Sequence, residues 1–141
     1  MEHHLTTYIT HDTLISALGF GTQENLEAIR SYHSGITLQT DKRIADTPLL
    51  AATLSQDRLQ QQAEAIGVSG YPRMEQLFIL TINELIRQSG QTLEDKTCGL
   101  ILSTTKGNID LLTRHTEHPD EAVFLWKMAE NIAGYFHAEE R

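Results

Sequence analysis

An α/β fold with helices flanking an incomplete sheet is what this sequence predicts, and three observations predict it. Met74, Leu77, Phe78, Thr81, Ile82, Leu85 and Ile86 repeat every three or four positions, the period of a helix with one wide buried face. Cys98-Gly99-Leu100-Ile101-Leu102 is a short apolar run between polar Glu94-Asp95-Lys96 and a polar stretch at 103–108, the pattern of a central strand covered on both faces. A second stripe, Ala122, Leu125, Trp126, Ala129, Ile132, Ala133 and Phe136, follows at helical spacing. Strands and helices alternating over long crossovers stack helices on a sheet.

Taken in order, Leu5, Tyr8, Ile9, Leu14 and Ile15 lie among β-branched threonines, which predicts an opening strand over about 5–15. Gly19-Phe20-Gly21 ends it. Thr22 caps, Glu24 adds negative charge to the first turn, and Leu26 and Ile29 give a short helix over about residues 23–31. A polar stretch runs from Ser34-Gly35-Ile36 to Asp46. After the patch at 48–54, Ser55 caps a helix that runs to Ile66 and stops at Gly67. The helix that follows Tyr71-Pro72 stops at Gly90, and Lys106-Gly107-Asn108 is a turn after the apolar run. Pro119, with Asp120 and Glu121 behind it, opens the last helix. Only two strands are visible, one short of an independently stable sheet.

With 141 residues, 40% of them apolar, three prolines and nine glycines, the chain has the composition of one globular domain. A net charge of −8, with no basic face on any segment, excludes nucleic acid and anionic lipid as partners. The single cysteine, Cys98, excludes a disulfide framework and a CxxC metal knuckle. No apolar run is long enough to span a membrane and the N-terminus lacks a leader pattern, so the expected location is cytoplasmic. His115 and His118 flank Glu117, but a catalytic zinc site needs a third protein ligand, and none is identifiable. A polar loop is the reading of that segment, and no metal is expected. Neither a G-x-S-x-G elbow, a phosphate loop nor a dinucleotide fingerprint occurs. Phe78, Trp126 and Phe136 read as core.

Three stretches together resemble the N-terminal part of the β-ketoacyl-acyl-carrier-protein synthases, thiolase-like condensing enzymes. The first is Tyr8-Ile9-Thr10-His11-Asp12-Thr13-Leu14-Ile15-Ser16-Ala17-Leu18-Gly19, followed by Glu24-Asn25-Leu26-Glu27-Ala28-Ile29-Arg30 and Ser34-Gly35-Ile36. It is similar to that family's opening strand, first helix and Ser-Gly-Ile turn. Arg73, the helix over 76–89, Gly90 and the run at 98–102 resemble the next helix and strand. Met128-Ala129-Glu130-Asn131-Ile132-Ala133-Gly134-Tyr135-Phe136 resembles the helix before the nucleophile strand. The likeness covers about residues 5–136. It departs at His11, Thr13 and Ala17, where the family carries glycines and a proline, and at Ser103-Thr104-Thr105, where the family's turn is richer in glycine.

The resemblance implies a partial thiolase-like αβαβα arrangement, with residues 1–141 as an N-terminal portion ending before the nucleophile strand. The implied family activity is decarboxylative Claisen condensation in fatty acid or polyketide synthesis, with no cofactor. It also implies acyl carrier protein as partner of the complete enzyme. The nucleophilic cysteine and catalytic histidines have no counterpart here, so no catalytic residue is assigned and the chain is expected to be inactive alone. A thiolate nucleophile is activated on a turn opening a helix, whereas Cys98 opens an apolar run and reads as a buried structural thiol. Thr104, Thr105 and Lys106 fall where the family's turn borders the acyl pocket. Read from composition alone they are ordinary solvated turn residues. Missing sheet neighbours imply self-association or a synthase partner chain. A non-catalytic partner, a remnant without a role and a small α/β binding module remain as alternatives.

Overall fold

The computed structural model describes residues 6–112 and 120–138. The chain enters through a tight antiparallel pair, β1 (Ile15–Ser16) and β2 (Gly19–Phe20), with Ile15 opposite Phe20 and Ser16 opposite Gly19. Helix α1 (Thr22–Arg30) follows directly. One buried side chain joins all three: the Asn25 amide donates to the carbonyls of Leu14, Gly19 and Gly21 at 3.1, 3.1 and 2.8 Å, and its oxygen accepts from the Ser16 hydroxyl. Gly19 is required there, because a Cβ would fall 2.5 Å from Cβ of Glu24.

A hairpin comes next, β3 (Ile36–Gln39) against β4 (Leu49–Ala52), antiparallel with Ile36 opposite Ala52. Helix α2 (Gln56–Ala65) is capped by Ser55, whose hydroxyl accepts from the Arg58 amide at 3.3 Å, and Gly67 at φ 74° turns the chain away from it. Arg58 reaches back to Glu24 with two contacts of 2.9 and 3.0 Å and lies 4.8 Å above the Phe20 ring, tying α2 to the β1–β2–α1 unit.

Helix α3 (Arg73–Ser89) begins after Pro72 and ends at Gly90, whose φ of 68° gives a left-handed cap. After irregular chain and two short 3-10 turns, Ile109–Leu111 and Glu121–Val123, helix α4 (Leu125–Tyr135) packs on α3. Ala63, Val68, Ile79, Ile82, Met128, Ile132 and Phe136 form the core, from α2, α3 and α4 and the residues just beyond them. Each large apolar chain buried there contributes about 1.5–3 kcal/mol of transfer free energy.

The mixed α/β class expected from the sequence holds, with four helices and two two-stranded antiparallel sheets among the described residues. Other expectations are corrected. The opening strand narrows to Ile15–Ser16, and residues 6–14 have no regular structure and are mostly exposed. The run at 98–102 joins no sheet. Its side chains alternate instead, Cys98, Leu100 and Leu102 half-buried and Gly99 and Ile101 exposed, with Leu100 and Leu102 packed on the core. The β3–β4 hairpin stands where the sequence predicts a polar stretch and a short patch. Trp126 is not core: it is 57% exposed and stacks on Phe124 at 6.4 Å. The buried stripe of α4 is Met128, Ile132 and Phe136, and Trp126 sits two residues, or about 200°, around the helix from Met128. His115, Glu117, His118 and Pro119 lie outside the described residues.

Candidate functional site

The expected pocket residues Thr104, Thr105 and Lys106 sit in a turn that leads into the most polar part of the interior. The Thr104 hydroxyl accepts from the amides of Lys106 at 3.2 Å and Gly107 at 3.1 Å, folding the chain back on itself. Gly107 is buried at φ 57°, and a Cβ there would lie 2.5 Å from Cδ2 of Leu125. The turn therefore presses on the start of α4, and only glycine fits. Thr105 and Lys106 are exposed and Thr104 is half-buried.

The next residue, Asn108, is fully buried. Its amide donates to Oε1 of Glu75 at 2.8 Å and to the carbonyl of Ala122 at 2.8 Å, while its own Oδ1 has no partner among the described residues. Glu75 in the first turn of α3 is equally buried, and Asn131 of α4 donates to both of its carboxylate oxygens at 3.3 and 3.2 Å. Desolvation raises the Glu75 pKa above its ordinary value, against the pull of the Asn108 and Asn131 amides and the charge of Lys127. One carboxyl thus links α3, the 104–108 turn and α4. It suits holding those elements together, or holding a proton out of water.

A groove of about 360 Å³ runs between the 93–102 segment and the small face of α4, lined by Leu93, Lys96, Cys98, Leu100, Ala129 and Ala133 among others. Cys98 is half-buried at its edge rather than sealed in the core, and its amide donates to the carbonyl of Asp95 at 2.8 Å. It stands on irregular chain, with no helix N-terminus behind it to stabilise a thiolate. Thr104, Thr105 and Lys106 do not line this groove. No cluster of three metal-ligating side chains occurs among the described residues. Nor is any helix there long and apolar enough to cross a membrane.

Compared with family models, curated proteins and solved structures, the chain matches none. The functional argument therefore rests on the residues and their geometry. Sequence reasoning missed Glu75, Asn108 and Asn131 as a set, although a signal for them existed. Glu75 lies in phase with Ile79 and Ile82, and Asn131 in phase with Met128 and Tyr135. Polar residues on an apolar stripe mark a buried polar contact.

Proposed function

We infer that this chain is a β-ketoacyl-acyl-carrier-protein synthase-like N-terminal portion, inactive alone, whose condensing chemistry needs a nucleophile and histidines it does not contain. The observation that carries this reading is the joined set of α3, the 98–102 run and the 104–108 turn, in the order and spacing of the resemblance. Asn108 ties that turn to Glu75 of α3 and to the Ala122 carbonyl, and Asn131 of α4 donates to the same carboxylate. A turn held this rigidly, with Thr104 to Lys106 at its tip, is a suitable wall for an acyl pocket completed by further chain. The finer thiolase-like layering belongs to this reading, as do acyl carrier protein as partner of the complete enzyme and association with a synthase chain.

Incubation with acyl and malonyl carrier thioesters tests it. No acyl adduct and no condensation product are expected from the chain alone, because Cys98 lacks an activating helix end. Acyl transfer seen by intact mass and abolished in Cys98→Ser would overturn the inactivity. The second reading, a small α/β binding module, is favoured by one observation: the α2–α3–α4 core closes without the opening strand. Light scattering with and without a full-length condensing enzyme separates the two. A stable monomer that ignores the enzyme supports the module.

A further inference from the structure

Three of the described cations are half-buried: Arg58, Arg73 and Lys127. Two of them have a carboxylate, Arg58 pairing with Glu24 at 2.9 Å and Lys127 with Glu130 at 2.7 Å. The Arg73 side chain, on the first residue of α3, bonds to nothing among the described residues. A guanidinium carries five N–H donors and stays charged, so drawing one partly out of water without an acceptor is unfavourable. Arg73 lines an open cavity of about 670 Å³ that it shares with Asp41 and Arg43. The Asp41 carboxylate is already engaged: Arg43 holds its two oxygens through Nε at 3.0 and 2.9 Å and again through Nη2. That pair cancels its own charge. The cavity wall therefore keeps one uncompensated positive charge, that of Arg73, in a chain whose net charge is −8.

We propose that this cavity binds a small organic monocarboxylate, its carboxyl group on the Arg73 guanidinium. The two oxygens of a carboxylate match two parallel N–H groups of arginine, and one negative charge balances the one positive charge left over. Ile44, Ala52 and Leu54 line the same cavity, so its walls suit a hydrocarbon body behind the carboxyl rather than a bare inorganic ion. Its volume falls in the range of small-molecule sites, roughly 300–1,000 Å³. Ala52 ends β4 and Arg73 starts α3, so a bound acid fastens the hairpin, which contributes nothing to the core, to the helical body. Thr104, Thr105 and Lys106 take no part in this cavity, and the proposal does not rest on condensing chemistry.

Hexanoate and its neutral twin hexanamide are the probes, followed by nuclear magnetic resonance at the Arg73 side-chain Nε–H and at the amides of 52–54. Hexanoate is expected to shift these signals saturably, with hexanamide and inorganic phosphate each binding at least about tenfold more weakly. Arg73→Gln should weaken hexanoate by at least about tenfold, and Arg73→Lys by less, since an ammonium keeps the charge but not the fork. Unchanged shifts at Ile79 and Ile132 in both variants establish that the fold is intact. Raised salt should weaken binding, and saturating hexanoate should slow amide exchange across β3 and β4. Equal binding of hexanoate and hexanamide, or of wild type and Arg73→Gln, would remove the carboxylate from the assignment. Phosphate binding as tightly as hexanoate would remove the apolar half of it, and the absence of any saturable shift with hexanoate would refute the site.

Discussion

Glu75 shows how one side chain can set the pH response of a fold. A carboxyl without solvent exposure keeps its proton more readily than one in water, and here desolvation outweighs the amide donors around it. Its folded pKa is raised above the ordinary 4.5. The stability it contributes is therefore fully present below that value and lost as pH rises through the raised pKa. Glu75→Gln removes the titration while keeping the shape. The variant should gain on the wild type in melting temperature as pH is raised above 4.5 and hold a constant difference once wild-type Glu75 is fully ionised. Parallel melting curves across that range would show that Glu75 does not titrate in the fold. The exposed pairs behave differently: Arg87 holds the Glu84 carboxyl down at about 2, but such surface pairs contribute about 0–1 kcal/mol.

At the scale of elements, the helices were legible and the strands were not. The α3 helix and the Gly90 stop follow from helical periodicity and cap chemistry, but the structure turns Glu75, Ile79 and Ile82 inward and leaves Leu77, Phe78 and Leu85 of the expected stripe half-buried. In α4 the same stripe included Trp126, because residues two apart cannot be assigned to one face until the position of the core is known. The pair Ile132→Ala and Trp126→Ala measures this: the first should cost about 2–5 kcal/mol in chemical denaturation, the second no more than about 1 kcal/mol, as for exposed positions. Equal losses would put Trp126 back in the core. The 98–102 run reads as a covered central strand because apolar composition does not reveal whether neighbours exist. The β3–β4 hairpin is hard to read because each strand has only four residues: Ile36-Thr37-Leu38-Gln39 alternates too briefly to carry a period, and Leu49-Leu50-Ala51-Ala52 does not alternate at all. Of the candidate site, the 104–108 turn was legible from Lys106-Gly107-Asn108, but its buried anchors come from α3 and α4. Only the fold brings residues 75, 108 and 131 together.

Across the whole molecule stability is unevenly placed. Every buried apolar side chain among the described residues lies at residue 59 or later, and before Gln56 Asn25 is the fully buried polar side chain. The β3–β4 hairpin contributes no residue to the core, and its strands have half-buried and exposed side chains only. In hydrogen exchange the α3 amides around Ile79 and Ile82 should be the slowest, opening only with global unfolding, while those of β3 and β4 should exchange through local opening at lower free energy. Exchange at one common rate in both would mean that the hairpin unfolds together with the helices.

The buried carboxyl has one more effect, on the alignment of two helices. Apolar stripes match poorly defined partners: Ile79 and Ile82 would meet α4 almost as well after a slip of one turn, about 5.4 Å. Such a slip would carry Glu75 away from Asn131 and Asn108 and leave a desolvated acid facing hydrocarbon, a state costing several kcal/mol. The contact thus acts as an index mark, excluding the neighbouring alignments of α3 and α4 by making them expensive while adding little to the attraction between the two helices.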